Sequence, residues 1–212
     1  IRAGIGAVAL DLPGHGERFV EGSHSPRNTP TVVEQMYEEI DGVLASIRER
    51  YPRLDMGRAA IGGMSAGGMA ALRRLCEPHP FRAAAIEGTT GDLLGLYLPN
   101  DGEQGEHGAA VHDRSSVERV DTLTHLDGFD PLPLLALHIE GDQLVPFGVQ
   151  RGFLDRLADH YEAGGASRDL IQLETYRDTG APHEHAGFGK FGSDAKNTQL
   201  EFLTRVLLDE RA

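Results

Sequence analysis

The sequence lacks several features by which whole classes of protein are recognised. It has one cysteine, Cys76, so no disulfide can form within the chain, and we expect this thiol to be a small buried side chain in a helix. No apolar run approaches the ~20 residues that a membrane-spanning helix needs. No signal peptide is visible after Ile1, and we predict a cytoplasmic protein.

Positive charge is scarce relative to negative charge. Lysine and arginine together number 20 against 33 aspartates and glutamates, which gives a formal net charge of -13. Such an acidic surface repels phosphate groups, so we expect neither nucleic acid nor an anionic membrane as a partner. The 212 residues are 40% hydrophobic, which suffices for one globular domain with a sizeable core and excludes a fibrous or disordered chain.

Short apolar runs alternate with amphipathic segments along the chain. The runs predict five buried strands, at residues 6–11, 58–62, 81–86, 134–139 and 170–176. The amphipathic segments predict helices at residues 31–50, 69–76, 147–162 and from Ser193 onward, the first opened by a capping box of Thr31 and Glu34. This alternation is typical of an α/β fold, with a mostly parallel sheet flanked by helices.

One segment does not follow this alternation. Residues 89–132 are rich in glycine, aspartate, glutamate and histidine and have weak periodicity, apart from a short helix predicted near residues 116–123. We interpret residues 1–212 as a single domain with 89–132 as an insertion over the strand ends. The insertion is either a lid or cap that shapes a substrate site or only a long loop.

A nucleophile motif follows the second predicted strand. The sequence Gly63-Met-Ser65-Ala-Gly67 matches G-x-S-x-G, and a helix is predicted directly after it. The motif places a serine on a sharp strand-to-helix turn, where glycines avoid clashes between side chains and the neighbouring backbone. The pattern alone arises by chance in a glycine-rich chain, but its place between a strand and a helix indicates a catalytic serine.

A catalytic serine needs a base and an acid that orients the base. Asp142 directly follows the fourth predicted strand, with Glu87 and Asp92 as alternative acids after the third. The base is His185 or His183, both after the fifth strand, and we favour His185 because a flexible Ala-Gly-Phe-Gly stretch follows it. Metal binding by His183 and His185 is the weaker interpretation, since zinc sites need three or four ligands. We expect no metal and no cofactor.

Four motifs together give the chain a family likeness: residues 11–18, 63–68, 141–146 and 183–185. In this order they resemble the α/β-hydrolase superfamily, and the nearest branch is similar to the dienelactone-hydrolase-like and prolyl-oligopeptidase-like esterases. The likeness runs from about residue 7 to residue 208. It implies a triad of Ser65, Asp142 and His185 or His183, with the backbone N–H of Ala66 as one oxyanion donor.

The sequence departs from that pattern at the second oxyanion donor. In the superfamily this donor lies on a loop before the strand that here is residues 6–11, and the chain has no room for that loop. Loss of one donor typically costs ~10²–10³ in rate. Either the first strands and the oxyanion loop are missing from this sequence, as an N-terminal segment of the same protein or on another chain, or this chain is only weakly active. We favour the missing strands.

The resemblance implies a serine hydrolase that cleaves small carboxylic esters through an acyl-enzyme. We also expect two residues near the substrate, Met64 beside the nucleophile and His15 in a loop that follows a predicted strand end. A peptidase or amidase with the same triad is the alternative among enzymes. A hydrolase-like module without catalytic activity is the alternative from another class of protein.

Overall fold

The structure, a computed structural model, describes residues 3–22, 25–98 and 112–208. Its centre is a parallel sheet of four strands in the order β1-β2-β3-β4, so β1 and β4 lie at the edges. The strands are β1 (Ala59–Met64), β2 (Phe81–Glu87), β3 (Leu134–Ile139) and β4 (Ile171–Tyr176). The α-helices of the described ranges are α1 (Thr29–Arg50), α2 (Ala66–Arg74), α3 (Leu93–Tyr97), α4 (Arg114–Val120), α5 (Phe147–Ala163) and α6 (Gly192–Leu208).

Helices cover both faces of the sheet, which is why the central strands consist of apolar residues without alternation. All six residues of β3 are buried. On one face, Leu134 and its neighbours pack with α1, α2 and α5, including Phe153 of α5. On the other face, Leu135 and Leu137 pack with Phe202 of α6. The fold is therefore three layers, and the predicted α/β class with a mostly parallel sheet is confirmed.

The register of the sheet brings the carboxyl ends of the strands to one edge. Met64, the last residue of β1, is paired with Glu87 at the end of β2, and Glu87 is paired in turn with Leu137 of β3. Because the strands are parallel, the loops that follow them emerge side by side. The predicted serine, acid and histidine all lie in these loops.

The strand predicted at residues 6–11 is wrong. These residues form no strand, and Val8 and Leu10 remain 51% and 42% exposed. A groove of about 690 Å³ lies between this segment and the free edge of β1. Paired strands lie ~4.8 Å apart. Because the groove separates residues 6–11 from β1, their backbone has no described strand at that distance with which to form hydrogen bonds.

The other predicted elements are present, with shifted ends. The first helix begins at Thr29, two residues before the predicted start, and Asn28 precedes it without a side-chain cap bond. Thr31 therefore lies inside the first turn, so the predicted capping box with Glu34 is wrong. Pro30 explains the earlier start, since a proline lacks the N–H that the first turn leaves unbonded and has a φ that suits a helix.

The described ends of the 89–132 segment pack against the body of the domain. Leu93 and Val117 are almost fully buried beside residues of α1 and α2. The Asp121 carboxylate joins the two ends, because it accepts hydrogen bonds from the Leu93 backbone (2.7 Å) and from the Thr124 backbone (2.7 Å). The predicted short helix is α4. Residues 99–111 lie outside the described residues, and a lid or cap there stays a prediction.

Within the three described ranges, no helix combines the length and the apolar content that a membrane span requires.

Candidate active site

Ser65 lies on a strained turn between β1 and α2. Its φ of 51° and ψ of -122° fall outside the regions that residues with a side chain normally adopt. The neighbouring strand holds this conformation: the Ser65 N–H donates to the Glu87 carbonyl (2.9 Å) and the Thr89 hydroxyl donates to the Ser65 carbonyl (2.8 Å). The turn exposes the serine hydroxyl at the carboxyl edge of the sheet.

The glycines around Ser65 are not equally constrained. A Cβ atom on Gly63 would lie 2.5 Å from the Gly67 carbonyl oxygen, and one on Gly68 would lie 2.5 Å from the Thr89 methyl group. A Cβ on Gly67 would meet nothing within 4 Å. The predicted steric clash between a side chain and the neighbouring backbone therefore occurs at Gly63 but not at Gly67, where the prediction is wrong. The second position at which a side chain cannot fit is Gly68.

The structure brings Ser65, His185 and Asp142 into one chain of hydrogen bonds. The distance from Ser65 Oγ to His185 Nε2 is 2.9 Å, and His185 Nδ1 lies 2.7 Å from Asp142 Oδ2. The aspartate can only accept, so the proton of the neutral ring lies on Nδ1 and the serine hydroxyl donates to Nε2. The Asp142 side chain is fully buried and the His185 side chain is 6% exposed, which strengthens both bonds.

Asp142 uses both of its oxygens. Oδ1 accepts hydrogen bonds from the backbone N–H groups of Leu144 and Val145, each at 2.8 Å, while Oδ2 accepts from His185. The Asp142 N–H donates back to the Ile139 carbonyl at the end of β3 (3.0 Å). The turn after β3 thus fixes the rotation of the carboxylate, and with it the plane of the histidine ring.

The loop after β4 holds the two candidate histidines apart. His183 is exposed, and its carbonyl accepts a hydrogen bond from the Gln143 N–H in the turn after β3 (3.1 Å). Glu184 pins the loop from the other side by accepting from the backbone N–H groups of Thr179 and Gly180, each at 2.8 Å. These bonds hold the pKa of Glu184 below its ordinary value. Of the two histidines, His185 is the one that lies against Ser65.

Three further residues were predicted to lie at the site. Ala66 is the first residue of α2, so its N–H has no acceptor inside the helix and is oriented with the positive end of the helix dipole. Met64 lines the groove along the free edge of β1. His15 lies in the loop after the predicted first strand, with Nδ1 3.0 Å from the Pro13 carbonyl. Contact of Met64 or His15 with a substrate stays a prediction.

The alternative acids have other partners. The Glu87 carboxylate accepts from the Gln199 side chain (2.9 Å), and burial raises its pKa. Asp92 caps α3 by accepting from the Gly95 N–H (2.7 Å), and burial raises its pKa as well. Among the described residues, no hydrogen bond joins either carboxylate to a histidine, whereas Asp142 contacts His185.

Metal binding and thiol chemistry find no geometric support at the site. Within the described ranges, no group of three or more His, Cys, Asp or Glu side chains could hold a metal ion. Cys76 is buried at the end of α2, and burial raises the pKa of its thiol to about 12. It is therefore protonated at neutral pH and a poor nucleophile.

Two residues that shape the site were missed in the sequence. Gly88 has a φ of 49°, and a Cβ there would lie 3.5 Å from the His185 ring and 3.6 Å from Asp142 Oδ2. Glu184, between the two candidate histidines, was given no role. The place of Gly88 directly after a strand was a signal that could have identified it, whereas only the folded loop shows the bonds of Glu184.

Comparisons with known proteins agree on the fold. A sequence model described as the prolyl oligopeptidase family matches residues 27–210. The structure is similar to TT1662 from Thermus thermophilus, with a TM-score of 0.67, 23% identity, and coverage of 95% of this chain and 76% of that one. It is also similar to an acylaminoacyl peptidase from Pyrococcus horikoshii, with a TM-score of 0.64 and 19% identity. A search of curated proteins found no match.

A third similar structure is an S-formylglutathione hydrolase from Agrobacterium tumefaciens, with a TM-score of 0.56, 16% identity, and coverage of 81% of this chain and 57% of that one. The likeness to the peptidase covers 83% of this chain but 28% of the peptidase, so the chain spans little more than a quarter of that protein's length. At these identities the solved structures show the fold, which is that of the α/β-hydrolases.

Proposed function

We propose that this chain, which belongs to the prolyl oligopeptidase family, is a serine hydrolase that cleaves carboxylic esters with Ser65 as nucleophile. The observation that carries the proposal is the pair of contacts made by His185, at 2.9 Å from the serine hydroxyl and 2.7 Å from the Asp142 carboxylate. Nucleophile, base and orienting acid are thus in line, with the acid buried.

The proposed reaction is acyl transfer to water. His185 Nε2 takes the proton of Ser65 as the serine oxygen attacks the ester carbonyl, and Asp142 stabilises the imidazolium that forms. The Ala66 N–H donates to the oxyanion at the N-terminus of α2. His185 returns the proton to the departing alcohol. A water molecule then attacks the acyl carbonyl with His185 again as the base, and His185 gives this proton to Ser65 Oγ as the acid departs. No metal or cofactor takes part in this scheme.

Peptide or amide cleavage is the second candidate activity. It is favoured by the family description and by the similarity to an acylaminoacyl peptidase. The two reactions differ in the leaving group, because an amine must be protonated before it departs, whereas an alcohol is a better leaving group. We favour the ester because its alcohol departs more readily than an amine, so ester cleavage demands less of the proton that His185 returns to the leaving group.

Paired substrates separate the two candidates. We expect the chain to hydrolyse p-nitrophenyl acetate and butyrate, to leave matched p-nitroanilides almost untouched, and to be labelled at Ser65 by a fluorophosphonate. Ser65→Ala should abolish hydrolysis and labelling, by at least ~10⁴-fold. Ser46→Ala, which removes an exposed hydroxyl of α1, is the matched control and should change neither.

Other results would redirect the proposal. Faster turnover of the anilides than of the esters would assign the chain to the peptidases. An unlabelled Ser65 in a correctly folded sample would favour a module without catalytic activity. A small ester as the substrate rests on the site motifs, and the absence of nucleic-acid or membrane binding rests on the net charge of -13. These two points and a cytoplasmic location remain parts of the proposal.

A further inference from the structure

His138 is a fully buried histidine that faces the same carboxylate as His185. It lies on β3, four residues before Asp142, and is 0% exposed. Its Nε2 atom lies 2.9 Å from the Val145 carbonyl oxygen and 3.8 Å from Asp142 Oδ2. Two imidazoles therefore approach one carboxylate, with His185 in hydrogen-bond contact and His138 just beyond it.

The bond to Val145 fixes the turn that holds Asp142. Val145 donates its N–H to Asp142 Oδ1 (2.8 Å) and accepts from His138 through its carbonyl (2.9 Å). The turn is thus attached to β3 at its beginning through the Asp142 N–H and at its end through the His138 ring. Without the second attachment, the Val145 carbonyl would be buried without a donor and the end of the turn would be free to move.

The same bond determines which ring nitrogen of His138 carries the proton. A carbonyl only accepts, so Nε2 carries the proton, and Nδ1 of the neutral ring carries none. Nδ1 is buried without a hydrogen-bond partner in the described part of the chain, so a second proton there would create a charge with no acceptor. Burial is the main cause that lowers the pKa of His138, and His185 lowers it further, against the opposing effects of Asp142 and of the Val145 carbonyl.

We propose that His138 is a positioning residue for the reaction at Ser65. As a neutral donor it holds the end of the Asp142–Val145 turn, which keeps Asp142 Oδ2 on His185 Nδ1. The proton from the serine passes to His185, whose Nε2 lies 2.9 Å from Ser65 Oγ, while His138 stays a neutral donor beside the same carboxylate. This inference rests on the proposed function.

The charged and titratable groups that face His138 are Asp142, from the turn after β3, and His185, from the loop after β4. The uncharged Phe147 ring of α5 packs nearby.

Two substitutions of His138 and one matched control test the role. His138→Phe removes the donor, and we expect kcat for p-nitrophenyl butyrate to fall by ~10–100-fold, the usual effect of losing a residue that orients a reacting group, with KM nearly unchanged. His138→Gln restores an N–H that can reach the Val145 carbonyl and should return kcat to within ~5-fold of the wild type. His160→Phe removes a similar imidazole–carbonyl bond, to Phe129 (2.8 Å), at a distance from the site.

The pH profile separates positioning from support of the fold. In His138→Phe the carboxylate stabilises the protonated His185 ring less well, so the acid limb of kcat/KM moves to lower pH. In His160→Phe the melting temperature falls, but kcat and the acid limb stay at the wild-type values. If His138→Phe behaves like His160→Phe, the positioning role is wrong. If His138→Phe does not fold, His138→Gln decides, and a loss beyond ~100-fold in that variant overturns the role.

Failure of the proposed function has a different signature. A wild-type chain without Ser65-dependent turnover rejects the hydrolase, whatever His138 does. The positioning of Asp142 is then read from the NMR resonance of the proton between His185 Nδ1 and Asp142 in the wild type and in both His138 variants. A resonance that moves upfield or disappears in His138→Phe and recovers in His138→Gln supports the inference, and identical resonances in all three proteins refute it.

Discussion

The two edge regions of the sheet, at β4 and at β1, differ in how closely the neighbouring segments are hydrogen-bonded to each other. Beside β3 and β4, the turn after β3 and the loop after β4 are joined by the Asp142–His185 bond and by the bond from the Gln143 N–H to the His183 carbonyl. Beside β1, a groove of about 690 Å³ separates the strand from residues 4–10, whose apolar side chains are partly exposed. The Asp142–His185 pair is thus held by the loops after β3 and β4, whereas Ser65 follows β1 and is held by its bonds to Glu87 and Thr89 beside β2.

The largest expected effect contrasts the two histidines of the loop after β4. His185→Ala removes the base in contact with Ser65 and should lower kcat/KM for p-nitrophenyl butyrate by ~10⁴-fold or more. His183→Ala removes an exposed ring whose side-chain contact, with Gln143 at 3.4 Å, is weak, and should cost less than ~5-fold. Steady-state kinetics of both variants decide, and a greater loss in His183→Ala would reverse our assignment.

The next contrast compares one leucine from each side of the sheet. Leu137 of β3 is 1% exposed, and Leu137→Ala should lower the free energy of unfolding by about 2–5 kcal/mol, because it leaves a cavity. Leu10 beside the groove is 42% exposed, and Leu10→Ala should lower it by less than about 1 kcal/mol. Urea denaturation gives both values. Equal losses would mean that Leu10 is buried in solution and that the groove is closed.

A smaller effect distinguishes the two glycines of the nucleophile motif. Gly63→Ala forces a methyl group against the Gly67 carbonyl and should destabilise the fold by about 1–3 kcal/mol. Gly67→Ala has open space inside a helix and should be neutral or stabilise it by up to about 1 kcal/mol. Thermal melts of the two variants provide the comparison. A destabilised Gly67→Ala would show that the turn is tighter than the structure has it.

The smallest expected effect is the acid sensitivity of the loop after β4. Because the pKa of Glu184 is lowered in the fold from an ordinary value of 4.5, its stabilising contribution is present above that value and is lost as the pH falls through the lowered pKa. The exchange rates of the Thr179 and Gly180 amides, in the loop after β4, should therefore rise in acid relative to those of amides within the strands. Glu184→Gln should exchange faster already at neutral pH, with a flatter pH dependence.

Much of the fold could be predicted because its signals are local. Strands β2 and β3 are continuous apolar runs, and Ser65 and Asp142 follow strand ends, where parallel strands expose their loops. The strand predicted at residues 6–11 failed because strand formation depends on a partner backbone, which an apolar sequence does not supply by itself. The start of α1 was misplaced because the spacing of Thr31 and Glu34, which is typical of a capping box, also occurs within the first turns of a helix that begins earlier.

The site was harder to predict in its supporting contacts. The difference between His183 and His185 depends on the folded loop: His183 has a φ of 56° and lies exposed beside Gln143, whereas His185 contacts Ser65. The sequence also gave no reason to expect that His138, interpreted there as an ordinary strand residue with satisfied hydrogen bonds, would leave Nδ1 buried without a partner. The contacts of His185 with Asp142 and Ser65 join residues 43 and 120 positions apart, and no local pattern encodes them.

The free edge of β1 has a consequence for how these 212 residues behave at high concentration. Among the described residues no strand pairs with the outer edge of β1, and such an edge beside exposed apolar side chains is a template on which a second copy can dock and aggregate. The net charge of -13 opposes such encounters at low ionic strength, but salt shortens the range of that repulsion from ~30 Å at 0.01 M to ~3 Å at 1 M. We therefore expect light scattering to rise with added salt, so that purification in high salt would remove the protection that the acidic surface provides.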